Sequence, residues 1–411
     1  VSFTFLHAAD LHLGAATARI SRGAPDWVRE PLIDSTFGAF DALIEDAISH
    51  GDAFVVFAGD LFDTQHNDLR GRLKFRDGVR RLDAAGIPSF FVTGNHDAQS
   101  TSSPIALPES CICFSDQAAS AIPVLRGGEV LATVIGREYP AKAADFPVVE
   151  GGGIKVAIFH GNWKGTDLNY PSICPEDVQG KGYDYWALGH QHSALICQKS
   201  PYVVYPGALQ GADVTEPGSK GAMRVSVSGG RIDRVEQVSF DKVRWFVEKV
   251  DLEGADEISL VERRIVQVLD DCIQSCEGRL AIGRIELMGR THLHRELTGS
   301  SRSNTTSLDA LLQTIQNRFV RKLWIDRMTP RTLPPLDLDA LRLQADVSCV
   351  GLTLVTGEQP PEELVSKLLI TLGPLYGQAP FLPRPSADEI TLRLRQLAAR
   401  TAGMLHHEVS E

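Results

Sequence analysis

A chain of 411 residues is about two and a half times an ordinary domain, so two or three domains are expected, with length enough for a large core. Its 43% hydrophobic and 23% charged content excludes a disordered or collagen-like chain, and no apolar run reaches the length of a membrane span. The formal net charge of −11 leaves a nucleic-acid partner open, because carboxylates gathered around cations add negative charge that the cations neutralise.

The amino end, VSFTFLHAAD, lacks a basic segment followed by a long apolar stretch, and it reads as a strand over residues 3–10. A cytoplasmic location is expected on that ground. A helix is predicted over 34–51, where Phe37, Phe40, Leu43, Ile44 and Ala47 share one face and Gly51 supplies the stop. AFVVFAGD (53–60) reads as a buried strand, 69–85 as a helix with arginines on one side, and IPSFFVTGN (87–95) as a third strand. The pattern then turns to strands at 154–161, 183–192, 202–207 and 221–240, the last folded at a Gly-Gly turn. Such βαβ units giving way to strands predict an α/β fold with two packed, mixed sheets flanked by helices over residues 1–243.

A smaller α+β domain is expected over 244–345, with a strand at RWFVEKVDL, a helix over 257–275, a strand at RLAIGRIELMG and a final helix and strand reaching KLWIDRM. About ten Arg or Lys fall between Arg279 and Arg331 against about four acids, a local basic surface that the whole-chain charge conceals. Residues 346–411 read as a C-terminal helical region with a Pro/Gly linker at 373–385. There Ser386 and Glu389 have capping-box spacing, and Ile390, Leu394, Leu397, Thr401 and Met404 form an apolar stripe for the chain's own body or for a partner helix. The seven cysteines are odd in number and unevenly placed, against a disulfide framework. Cys111 and Cys113, like Cys272 and Cys276, lack a second pair or a histidine at zinc spacing and read as reduced thiols.

The chemistry gathers at strand ends. The first strand ends in Asp10 and His12, the second in Asp60 and Asp63, and the third in Asn95, His96 and Asp97; later strands end in His160 and in His190 and His192. One histidine after a strand is ordinarily a polar residue meeting water, but five such strand ends in one domain call for another explanation. Strand ends of an α/β sheet share one edge, so these residues can converge. Alternation along a strand would point Asp10 and His12 the same way, and likewise His190 and His192. Mixed oxygen and imidazole donors suit Mn²⁺, Fe²⁺ or Zn²⁺ better than Mg²⁺ or Ca²⁺. Two ions need a bridging carboxylate, for which Asp60 is the candidate, and glycines at 59, 94, 161 and 189 would allow close backbone approach.

The ordered set DLH (10–12), GDLFD (59–63), GNHD (94–97), HG (160–161) and GHQH (189–192) resembles the calcineurin-like metallophosphoesterase superfamily. More narrowly it is similar to the bacterial DNA repair exonuclease branch, the SbcD- and YhaO-like proteins, over about residues 3–245. The resemblance implies an αββα sandwich with a capping domain. It implies two divalent metal ions, with Mn²⁺ the first expectation. Asp10, His12, Asp60 and His192 would hold one ion, and Asp60, Asn95, His160 and His190 the other. His96 would face the scissile phosphate as the catalytic acid, with Asp97 placed to orient it. One departure stands out: after YPGALQG relatives often carry an Arg-His pair followed by Arg-Glu, whereas this chain has Ala212, Asp213, Val214, Thr215 and Glu216. Lys164 in FHGNWKG is a basic residue that could compensate.

The leading expectation is a Mn²⁺-dependent DNA nuclease, exonucleolytic on duplex ends with single-strand endonuclease activity. The alternative keeps the two metals but takes a small phosphodiester, a reading favoured by the acidic net charge and the altered 212–215 loop. Expected partners are DNA and, from the resemblance, an SMC-like ATPase at the carboxyl-terminal region; a homodimer stays open and no membrane is involved. No substrate-binding residue is assigned.

Overall fold

In a computed structural model, residues 1–15, 24–62, 69–97, 106–114, 118–165, 170–299, 307–335, 365–366, 369–370 and 385–393 are described. Two six-stranded mixed sheets pack face to face. In spatial order the first runs Arg231–Ser239, Gly221–Ser228, Phe3–Ala8, Val55–Ala58, Ser89–Val92 and Cys111–Cys113. The second runs Leu195–Lys199, Tyr202–Tyr205, Tyr185–Gly189, Ile154–His160, Glu129–Gly136 and Ser120–Arg126. Phe5, Phe54, Val56, Phe90, Val134, Val156 and Tyr185 fill the space between them. Phe5 stacks on Phe54 at 4.6 Å and meets Tyr185 edge-on at 5.5 Å.

The strands Val55–Ala58 and Ser89–Val92 are buried at every position, as parallel strands covered on both faces must be. Their outer cover is the helix pair Ser35–His50 and Leu69–Ala84, packed through Phe40, Leu43, Phe75 and Val79. Gly51 ends the first of these in a left-handed conformation at φ 73°. Phe146, Val178, Tyr183 and Trp186 belong to a separate cluster built on the second sheet. An additional helix, Asp26–Ile33, contains Pro31, which in sequence reads as a break.

The site-bearing strands are shorter than expected. The strand predicted over 3–10 ends at Ala8, that over 53–60 at Ala58, and that over 183–192 at Gly189. Beyond those ends the backbone enters the left-handed region at Asp10 (φ 50°), His12 (φ 42°), Asp60 (φ 52°) and His190 (φ 104°). The alternation argument for Asp10 with His12 and for His190 with His192 is thereby corrected: a left-handed residue breaks the pleat, and turns aim these side chains. Each such residue costs of order 1–3 kcal/mol, which the surrounding structure must offset.

Three further strands, Val243–Asp251, Leu280–Met288 and Leu323–Pro330, form a separate sheet in that order, joined by stretches that include the helices Ile258–Ser275 and Ser307–Arg318. The chain divides into two compact units: Val1–Glu248 with Leu269–Arg284 and Gln316–Arg327, and Lys249–Val268 with Ile285–Ile315 and Met328–Glu411. In the first unit Arg244 and Arg279 both grip the buried Asp241, with Nε to carboxylate distances of 2.8 and 3.0 Å. Arg284 pairs with Asp326 at 3.3 Å, so part of the local basic excess is already neutralised; Arg318, Arg321, Lys322 and Arg327 stay exposed in this unit.

At 387–393 a helix opens with a reciprocal capping box: Glu389 N–H donates to Ser386 Oγ at 3.1 Å, and Ser386 N–H to Glu389 Oε2 at 2.9 Å. Leu394, Leu397, Thr401 and Met404, residues 373–384 of the linker, Asp63 and Cys349 lie outside the described residues. The other six cysteines are free thiols. Among the described residues no helix is long and apolar enough to cross a membrane.

Candidate metal centre

Parallel pairing of Phe3–Ala8 with Val55–Ala58 and of Val55–Ala58 with Ser89–Val92 brings their carboxyl ends to one edge. Pairing of Ile154–His160 with Tyr185–Gly189 does the same in the second sheet. The zipping continues past the strands: Asp10, His12 and Leu13 donate their N–H groups to the carbonyl oxygens of Gly59, Asp60 and Leu61 at 3.0, 3.1 and 2.9 Å. These bonds hold the turns that carry the side chains. A Cβ at Gly59 would strike the His160 ring, and one at Gly94 would strike the Asp60 carboxylate, so glycine is required at both.

All seven expected ligands come together. Donor atoms of Asp10, His12 and His192 lie within 4.8 Å of one another, as do those of Asp10, Asp60 and His160. Both of these groups contain Asp10, where the sequence pointed to Asp60 as the shared carboxylate. The Nε2 atoms of His12 and His192 face each other at 3.3 Å. Asn95 Oδ1 is 3.1 Å from His160 Nε2, and the His190 ring lies against those of His160 and Tyr170, with centroids at 5.5 and 4.6 Å. The His190 N–H donates to both Asp10 oxygens, at 3.0 and 3.1 Å. Asp10, Asp60 and His160 are almost wholly buried.

The electrostatics fit divalent cations. His160 Nδ1 sits 2.8 Å from the Ala58 carbonyl oxygen, so it carries the hydrogen, and Nε2 presents its lone pair toward Asn95 Oδ1 at 3.1 Å and Asp60 Oδ2 at 3.5 Å. A lone pair aimed at oxygen acceptors needs a second proton or a cation between them. Without a cation the proton wins: burial pulls His160 down, but the Asp60 hydrogen bond and charge outweigh it and carry it up to about 9. Burial pushes Asp60 up, yet His160 and His12 pull its carboxyl below the usual range. Asp10 is pushed up to about 7, chiefly by burial, against the opposing pull of His160 and His192. Two buried carboxylates ringed by imidazoles make a donor set for borderline divalent ions.

His96 is half-buried, with its ring edge-on to His12 at 5.1 Å and its N–H donating to Asp60 Oδ1 at 2.9 Å. Asp97, expected to orient His96, acts on the backbone and not on the ring. Its carboxylate accepts three backbone N–H groups instead, from Leu61 and Gly94 on Oδ2, both at 3.0 Å, and from Phe62 on Oδ1 at 2.9 Å. It ties the turn carrying His96 to the loop carrying Asp60. Burial pushes this carboxyl up to about 6, aided by the charge of Asp60 and opposed by those hydrogen bonds.

Two residues escaped the sequence reading. Glu216, in the altered loop, accepts from His192 Nδ1 at 2.6 Å, and the glutamate three residues beyond Asp213 gave no sign of a histidine 24 positions upstream. His7 is fully buried but is no ligand: its Nε2–H donates to the Leu188 carbonyl at 3.1 Å and its Nδ1 accepts from the Tyr185 hydroxyl at 2.9 Å. Burial lowers its pKa to about 3, which keeps it neutral. Lys164 is exposed, with its ammonium 5.8 Å from the Trp163 ring centroid.

Comparison with known proteins agrees with this geometry. The calcineurin-like phosphoesterase family matches residues 3–194, and the middle domain of metallophosphoesterase YhaO matches residues 245–333. Metallophosphoesterase YhaO of Bacillus subtilis is 32% identical over 267 residues, covering 62% of this chain and 65% of its own length. The chain thus spans just under two thirds of that relative. The DNA double-strand break repair protein Mre11 of Aeropyrum pernix is 24% identical over 314 residues, covering 67% of this chain and 70% of its own. Mre11 of Thermoplasma acidophilum is 24% identical over 266 residues, covering 58% and 66%. With strand-end histidines and carboxylates gathered at one sheet edge, residues 3–194 match the calcineurin-like phosphoesterase family as a domain, and the region that follows matches the YhaO middle domain.

Proposed function

We propose that this protein is a Mn²⁺-dependent DNA nuclease that hydrolyses phosphodiester bonds at duplex ends, with single-strand endonuclease activity. The observation that carries the reading is the convergence of Asp10, His12, Asp60, Asn95, His160, His190 and His192 around a half-buried His96. The likeness to Mre11 repair proteins supports DNA as the substrate. Asp10, His12, Asp60 and His192 would hold one ion and Asp60, Asn95, His160 and His190 the other, with Asp60 between them. When bound, the ions supply water activation and neutralise the phosphate oxygens. His96, anchored through its backbone by Asp60 and edge-on to His12, would protonate the leaving oxygen. Asp97 serves it as a positioning residue, by fixing the turn.

In this reading residues 1–243 form the catalytic domain, 244–345 a capping domain whose exposed basic side chains track the phosphate backbone, and 346–411 the contact for an SMC-like ATPase in the cytoplasm. DNA binding then weakens steeply with salt. A small phosphodiester is the second reading, favoured by the loop beside His192, which carries Asp213 and Glu216 and no basic residue between 212 and 216. The test is digestion of an end-labelled linear duplex with Mn²⁺ or EDTA, with His96→Ala as the control for contaminating nuclease. Mn²⁺-dependent degradation absent from the variant is expected; intact DNA alongside hydrolysis of a chromogenic phosphodiester would establish the second reading instead.

A further inference from the structure

Two histidines of the centre have their Nδ1 atoms held by partners of different charge. His160 Nδ1–H donates to the Ala58 carbonyl oxygen at 2.8 Å, a neutral acceptor built into a strand. His192 Nδ1 lies 2.6 Å from Glu216 Oε1, an anionic acceptor. That carboxylate is itself held, because Glu216 Oε2 accepts the Ala212 N–H at 2.9 Å. The backbone of His192 is held as well: its carbonyl oxygen accepts the Lys220 ammonium at 2.8 Å and the Ala208 N–H at 3.2 Å. Ring and main chain of His192 are therefore both fixed by the 208–220 segment, which carries none of the ligands.

A carboxylate on Nδ1–H locks the hydrogen on that nitrogen, leaves Nε2 as the donor and raises its basicity more than a carbonyl can. His192 Nε2 is the atom that faces His12 Nε2 at 3.3 Å and groups with Asp10. We propose that Glu216 is the positioning residue of one cation site only, so that the two ions are held unequally. The ion at Asp10, His12 and His192 depends on Glu216, and the ion at Asp60, Asn95, His160 and His190 does not. This rests on the dimetal reading above.

The test is a calorimetric titration of the metal-free full chain with Mn²⁺ alone, for the wild type, Glu216→Gln, Glu216→Asp and Glu216→Ala. The wild type should show two binding steps. Glu216→Gln, which keeps shape and removes charge, should weaken one step ~10- to 100-fold and leave the other unchanged. Glu216→Ala should weaken the same step further, and Glu216→Asp, which keeps the charge one methylene short, should weaken it less than Ala. Melting of the metal-free variants near the wild-type temperature would separate this effect from unfolding. Unchanged affinities, or two steps weakened alike, would overturn the assignment. A wild type that binds no Mn²⁺, or a single ion, would overturn the dimetal reading and this inference with it.

Discussion

Two buried carboxylate clusters lie in the same compact unit and are neutralised by opposite means. Around Asp241 the counter-charges are covalent parts of the chain: the guanidiniums of Arg244 and Arg279, with Arg244 bidentate at 2.8 and 3.0 Å. Around Asp10 and Asp60 the neighbours are imidazoles, which carry little charge at neutral pH unless something forces a proton onto them. A fixed guanidinium satisfies a carboxylate permanently and leaves nothing to exchange. An imidazole cage satisfies it with something exchangeable, a proton on His160 in the metal-free protein or a divalent cation in its place, which suits a centre that must load metal. The cost of that choice is carried by the fold, in the left-handed residues at Asp10, His12, Asp60 and His190.

The sharpest way to break the contrast is to remove one member of each kind. Asp60→Ala should lose bound Mn²⁺ and activity together, whereas His96→Ala should keep both ions and lose ~10²- to 10⁴-fold in turnover. Metal analysis after desalting, beside a turnover assay, decides it; undiminished Mn²⁺ in the Asp60 variant would remove that residue from its bridging place.

At the other cluster, Arg244→Met strips one buried cation from Asp241 and should cost about 3–5 kcal/mol of folding stability, toward the lower end because Arg279 remains. Mn²⁺ affinity should not change. Denaturant melts would report the loss, and a change under about 1 kcal/mol would mean that Arg279 alone suffices for Asp241.

The smallest effect is a dependence on pH. Asp10 and His160 both have pKa values raised by the fold, to about 7 and about 9. Their contribution to the metal-free protein is present in full below the unfolded values and is lost as pH rises through the folded ones. The metal-free protein should therefore lose melting temperature from these groups between pH 5 and pH 9, and Mn²⁺ should restore more of it at the upper end. A Mn²⁺ stabilisation that is greater at pH 5 would contradict the cage description.

Much of this centre was legible before any coordinates, because few residue types ligate metals and they stood at the ends of apolar runs. Asp60, Asn95 and His160 are such cases. Pro31 hid a helix, since its missing N–H reads as a break. The sequence pointed to Asp97 as the residue that orients His96 but not to the means: its carboxylate accepts the amides of Leu61 and Phe62, 36 and 35 positions upstream, which only the folded chain brings to it.

Sequence alone determined which donors were available, their order along the chain and the sheet edge where they would gather; apolar runs mark the strands, and parallel strands align their ends. Tertiary structure decided which atom each donor presents. Alternation stops once the backbone turns left-handed at Asp10 and His190, and the nitrogen that His192 offers is chosen by Glu216, a contact made only when residues 24 positions apart are brought within 2.6 Å.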